Sequence, residues 1–238
     1  MESHGETLSG TGVAAGSRRF LLQSKITPAA EKALISVVLS AIIVPLFIAT
    51  GELPANHAPA SWLITRWDSI IPVMPIAVWP YISWYLAPVP LLAATRRNFR
   101  LAACAIALAF VVCTIGYVVF PASMQRPAIA GSTLSERVLL LLYGIDPPWN
   151  IFPSFHAALC AVLWRPLFGG GVARKIMPLW MATICASCVL TKQHNLIDIV
   201  VGLVVGFLSL AVVTAAFHRL EKTALIVAQP ADAEAILP

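Results

Sequence analysis

His194 and Asp198 stand four residues apart at the junction of two long apolar runs, in the stretch Thr191-Lys192-Gln193-His194-Asn195-Leu196-Ile197-Asp198. On a helix, positions four apart share one face. A carboxylate that accepts the Nδ1–H of an imidazole fixes the ring's tautomer and leaves Nε2 free to attack. The same pair could instead pin two apolar elements together, because a carboxylate at the edge of a membrane is costly unless it has such a partner. His156, in Pro153-Ser154-Phe155-His156, opens the preceding apolar run. A lone histidine at a helix start is more often a cap or an interface residue. Two imidazoles beside one carboxylate, however, allow a divided task, in which one attacks while the other gives and takes a proton.

Arg126, followed by Pro127 in a loop, and Lys192, two residues before His194, are the candidate cations for these groups. A guanidinium grips a phosphate through two donors. In a loop it can equally be a solvated surface group, and a lysine at a span edge can equally snorkel to water. The amides around Ser154, Phe155 and His156 open a helix and suit an anion. His156, His194 and Asp198 could ligate one ion, but beside an arginine they point to anion handling, and no metal site is expected. His4, His57 and His218 read as solvated.

Several elements must bring these groups together. The chain has 238 residues, of which 59% are hydrophobic and 11% charged; soluble domains carry about 25% charged residues. Several runs reach the roughly 20 apolar residues that a helix needs to cross hydrocarbon. The composition therefore predicts an all-α, polytopic membrane bundle. Its six spans lie at roughly 33–50, 70–92, 101–120, 153–169, 176–193 and 197–217 (one membrane domain over 31–217), between polar tails at 1–30 and 218–238. Pro45 should bend the first span. Pro72, Pro75, Pro80, Pro88 and Pro90 should kink or delay the second, and Pro153 should occupy the first turn of the fourth. Trp62 and Ile70 suggest a short interfacial helix, and residues 135–143 a second one. The first 17 residues are polar and rich in Gly, Ser and Thr, so no cleaved leader is expected. The five cysteines lie in apolar runs without metal spacing and read as small buried side chains.

Six spans place both termini on one side. Of the 16 lysines and arginines, only Arg66, Arg126, Arg137 and Lys192 fall in the segments on the opposite side. The positive-inside rule then puts both termini in the cytoplasm. It places His156, His194, Asp198 and Arg126 together at the extracytoplasmic face of what is read as the plasma (inner) membrane. The net charge of +5 is scattered between apolar runs and does not suggest nucleic acid.

The order Arg-Pro, then Pro-Ser-x-His, then His-x-x-x-Asp across six spans resembles the type 2 phosphatidic acid phosphatase superfamily. The wording Phe152-Pro153-Ser154-Phe155-His156, and Thr191-Lys192-Gln193-His194 followed by Asp198 and Gly202, looks most like its branch with inositol phosphorylceramide synthases and their bacterial relatives. The resemblance implies that His194 is the nucleophile of a phosphohistidine intermediate and that Asp198 orients it. It implies that His156 protonates the leaving alkoxide and then deprotonates the acceptor, and that Arg126 holds the phosphate with Ser154 beside it. It implies no metal and no other cofactor. The chain departs from the usual motifs at Val119 (lysine in the family), Phe155 (glycine) and Cys188 (arginine). Lys192 is the candidate to replace one lost cation, and the losses fit the transferase-like branch better than an ordinary phosphatase.

The expected activity is thus a metal-independent lipid phosphatase or phosphotransferase. Its substrate would be a membrane lipid phosphate or phospholipid, and its acceptor water or a hydroxyl group. The competing expectation is a membrane transporter or lipid-binding protein that uses the same polar corner for recognition.

Overall fold

The computed structural model describes residues 26–53, 64–146, 148–164 and 172–228. His4, His57, Trp62, Arg165, the glycine run 169–171, most of the N-terminal tail and the last ten residues lie outside them. The described residues are mostly helical, and no strand occurs among them. Helix α1 spans Pro28–Gly51, capped by Thr27, and continues through Pro45. Helix α2 is the single turn Arg66–Ile70. The proline-rich run that follows is not one helix. It is a chain of short turns, Pro75–Ala77, α3 at Val78–Ile82, Ser83–Leu86 and Val89–Ala93, because each proline removes an amide donor and clashes with the preceding turn.

Helix α4 spans Arg96–Val119. Helix α5 spans Leu134–Ile145, begun by a capping box in which Thr133 and Glu136 satisfy each other's amides. Helix α6 spans Phe155–Leu163, α7 Val172–Leu190 and α8 Leu196–Ala228.

Among the described residues four helical stretches are long and apolar enough to cross a membrane: Pro28–Gly51, Pro75–Ala93, Arg96–Val119 and Leu196–Ile226. The fourth expected span is described only over the nine residues of α6, about 13 Å of helix. The sixth does not end at residue 217. Leu, Glu, Lys and Ala are strong helix formers, and they carry α8 on to Ala228. Pro153 does not begin α6 either. It follows a cis peptide bond, and Ser154 is the cap, accepting the amide of Ala157 at 3.3 Å.

Every residue of α6 is buried. The helix sits among α4, α7 and α8, and α8 also packs along α4. Close approach is possible because α8 lacks side chains where α6 crosses it. A Cβ on Gly202 would stand 2.3 Å from the Ser154 carbonyl oxygen, and one on Gly206 would stand 2.2 Å from that of Ala158. Small residues four apart let helix backbones touch in this way. Gly116 of α4 makes the same room for Pro153.

The bundle has two chemically different ends. At one, Arg96 and Arg100 of α4 hold Glu31 of α1, Arg97 holds Glu221 of α8 through two bonds of 2.6 and 3.0 Å, and Lys32 reaches the carbonyls of Leu92 and Ala94. At the other end the closing residues of α1 and α4 meet the loops that open α6 and α8. Asn150 donates to the Phe47 carbonyl at 2.6 Å, and the Ser154 amide donates to the Asp198 carbonyl at 3.1 Å. Between the ends, large apolar side chains such as Val37, Ile48, Ile115, Leu179 and Leu208 face outward. Of the five cysteines, all free, Cys113, Cys160 and Cys188 are buried, whereas Cys104 is exposed and Cys185 half-buried.

Candidate functional site

The two histidines meet. Nδ1 of His156 lies 3.2 Å from Nε2 of His194, and both rings are buried. His156 is held by its place in the second position of α6, where Trp84 lies against it with ring centroids 4.4 Å apart. His194 sits two residues before α8 begins. Its Nδ1 is 3.0 Å from the carbonyl oxygen of Ile151 and 3.5 Å from Oδ2 of Asp198. A carbonyl can only accept, so Nδ1 of His194 carries a proton, and with the ring neutral Nε2 presents its lone pair to His156.

Asp198 is fully buried. Its Oδ2 accepts the Asn195 amide at 2.8 Å, which starts α8, and its Oδ1 has no protein partner. The carboxylate therefore serves the helix start and the imidazole together, and the closer partner of Nδ1 is a peptide carbonyl that no side-chain pattern could show.

Arg126 lies along the same corner. Its guanidinium donates to the Tyr143 carbonyl at 2.9 Å and to the side-chain oxygen of Gln193, the neighbour of His194, and it stacks 4.4 Å from the Tyr143 ring. Burial lowers its pKa from the usual arginine range, against the pull of Asp146. Its Nε and the Nε2 of Gln193 are two buried donors with no protein partner, which an anion could satisfy. Ser154 is fully buried as the cap of α6.

Lys192 has a different occupation. It has a positive φ of 51° and stands just past α7. There the Lys192 amide bonds to Val189, and the amides of Gln193 and His194 bond to Cys188. This is the helix-ending turn that usually takes glycine. The ammonium donates to the carbonyls of Asp68 and Ile71 at 2.8 and 2.7 Å. It thus ties the α7–α8 turn to the end of α2. Asp68 completes that tie, accepting the Leu196 amide at 2.8 Å.

Two residues absent from the sequence-derived set stand behind His156. Tyr81 places its hydroxyl 2.9 Å from Nε2 of His156 and 2.8 Å from Oδ2 of Asp146. Burial pushes the Asp146 carboxyl above the usual carboxylate range, against its hydrogen bond with Tyr81 and the charge of Arg126. Neither residue stands in a side-chain pattern that marks it out in the sequence. The available signal was that a chain with only 11 Asp and Glu residues seldom spends one beside an apolar run.

A cavity of about 440 Å³ opens onto His156 and Asp146. Its walls come mostly from apolar groups, among them Phe47 and Ile48 of α1 and Trp84 and Trp149, with Glu52 and Asn150 as further polar residues on the lining. Among the described residues no three His, Cys, Asp or Glu side chains gather as a metal site would require. No family model, curated protein or solved structure matches the chain.

Proposed function

We propose that the chain is an integral membrane enzyme of phosphoryl transfer, built on six spans with both termini in the cytoplasm. On this reading it acts on a lipid phosphate or phospholipid at the extracytoplasmic face, as the resemblance to the type 2 phosphatidic acid phosphatase superfamily implies. One observation carries the reading. A histidine with its Nδ1 fixed as a donor presents a lone pair at Nε2 directly to a second histidine. That is the arrangement a nucleophile and its acid–base partner need.

The phosphoryl group takes the place of the hydrogen bond between the two rings. Nε2 of His194 forms the N–P bond as the P–O ester bond breaks, and the leaving alkoxide takes the proton on Nδ1 of His156. Water or a hydroxyl acceptor then attacks phosphorus, gives its proton to His156, and the N–P bond breaks. Fixed donors aimed at the phosphoryl oxygens stabilise the transition state, and Arg126 with Gln193 supplies them. Lys192 stands apart from this set, since the carbonyls of Asp68 and Ile71 take two of the three donors of its ammonium and hold it toward α2. The apolar cavity receives the lipid portion and delivers the ester oxygen to His156.

The test is trapping. Protein in detergent is incubated with ³²P-labelled lipid phosphate or phospholipid and quenched. Base-stable, acid-labile label is expected on the wild type and none on His194→Ala, which should still insert and purify. Normal turnover by His194→Ala, or turnover by the wild type with no trapped label under any quench, overturns the assignment and returns the corner to a binding role.

A further inference from the structure

The contacts behind His156 fix a direction for protons as well as a position for the ring. His194 offers a lone pair at Nε2, so the bond of 3.2 Å between the rings requires a proton on Nδ1 of His156. In a neutral imidazole Nε2 is then an acceptor. Its partner at 2.9 Å is the Tyr81 hydroxyl, which must point its only hydrogen at the ring. Nothing is then left for Tyr81 to donate to Asp146, 2.8 Å away, so that contact is a hydrogen bond only if the carboxyl carries the proton. Four groups on four elements are ordered in one line: Asp146 after α5, Tyr81 in α3, His156 in α6 and His194 before α8.

We propose that Asp146 and Tyr81 form a proton relay for His156, with Asp146 as the store. The proposal rests on the phosphoryl-transfer reading above. When Nδ1 of His156 gives its proton to the leaving alkoxide, Nε2 takes the proton of Tyr81, and Tyr81 takes that of Asp146. The products are the alcohol, a neutral His156 protonated on Nε2, an unchanged tyrosine and an aspartate carboxylate. When the acceptor loses its proton to Nδ1 in the second step, the line runs backwards and Asp146 is protonated again. No proton is gained or lost over the cycle, and none has to enter from the membrane.

The surroundings suit the stored proton. Burial disfavours the charged carboxyl at rest. The nearby charge of Arg126 then limits the cost of the carboxylate formed during transfer. The other titratable groups whose fields reach Asp146 are His194, Tyr85, Tyr117 and Cys188. Tyr81 itself is fully buried, so no bulk water competes for its hydroxyl. Tyr81 and Asp146 act through His156 and are positioning residues.

A leaving-group comparison separates this role from a packing role. Two esters are used with wild type, Tyr81→Phe and Asp146→Asn in detergent. One is an alkyl phosphate ester, whose leaving group needs a proton. The other is a nitrophenyl ester, whose leaving group does not. The relay predicts a loss of about 100-fold on the alkyl ester, within the range of general acid catalysis, and less than about threefold on the nitrophenyl ester. It also predicts that the double variant is no worse than either single one. Equal losses on both esters, or none, overturn it.

The resting arrangement is checked without turnover, by ¹⁵N-histidine NMR of the wild type. His156 is expected with its proton on Nδ1 and a bare Nε2 that loses its hydrogen-bond shift in Tyr81→Phe. A bare Nδ1 with a protonated Nε2 overturns the relay. A wild type inert toward both esters while the NMR result holds would count against the enzymatic reading and leave the proton line standing.

Discussion

At His194 a carboxylate shares its task with a peptide oxygen. In a triad where the carboxylate alone sets the tautomer, replacing aspartate by asparagine costs about 10⁴-fold, because the ring then carries its proton on the wrong nitrogen. Here the Ile151 carbonyl, 3.0 Å from Nδ1, demands the correct tautomer whatever stands at position 198. The asparagine oxygen can still accept the Asn195 amide. Asp198→Asn is therefore expected to lower kcat by about 100-fold, the lower part of the acid–base range. A loss of about 10⁴-fold, measured at saturating substrate, would show that the carboxylate sets the tautomer alone.

The residue scale also marks what side-chain types can and cannot announce. His156, His194 and Asp198 were legible because titratable groups are scarce in apolar runs and because four-residue spacing shares a face. Arg126 was legible as a cation near them. Ile151 was not, since its contribution is a carbonyl that every residue possesses. What the Lys192 ammonium touches was not legible either, for a physical reason. Its charge was visible, but the left-handed backbone that turns its stem toward the carbonyls of Asp68 and Ile71 was not.

Among the elements, α6 and α8 form the contact on which the site's geometry depends. Ser154 and His156 are placed by α6, and α8 carries Asp198, with its first turns seated on the carbonyls of Ser154 and Ala158 through Gly202 and Gly206. Gly202→Ala puts a methyl group 2.3 Å from a backbone oxygen that no rotamer change can move. The expected cost is about 1–3 kcal/mol of stability, as for other overpacked sites, with a loss of activity as α6 shifts. Gly144→Ala in α5 meets nothing within 4 Å and should stabilise by up to about 1 kcal/mol, the helix preference of alanine over glycine. Thermal unfolding of the two variants in the same detergent checks the pair, and an equal response would refute the close-packing account.

The helical class and most helix centres were readable from hydropathy. Helix α5 was readable from its mixed polarity, and it runs from Leu134 to Ile145. The proline-rich span was expected to be kinked or to begin late, and it begins at Pro75 as a run of adjoining short 3-10 and α segments up to Ala93. Proline content shows that a helix is disfavoured, but the neighbours that supply or withhold compensating bonds decide how far it breaks.

At the scale of the whole molecule, the arginine–glutamate pairs of the described residues gather at one end. The ion pairs of Glu31, Arg96, Arg97, Arg100 and Glu221 gather the starts of α1 and α4 with the far part of α8. The histidine pair sits at the end where α1 and α4 finish. The proposed orientation is read out by single-cysteine labelling, with the five native cysteines replaced. Gln125→Cys should react with a membrane-impermeant maleimide in intact cells. Lys222→Cys should react only after lysis. The reverse pattern would put the site on the cytoplasmic face and sink the proposed topology.

Helix α6 has no surface of its own to offer lipid, since all nine of its residues are covered by neighbours. Strain from a thicker or thinner host bilayer reaches His156 only after α4, α7 and α8 have absorbed it by tilting. Reconstitution into lipids of graded acyl-chain length should then change how tightly a substrate is captured well before it changes the rate of the chemical step.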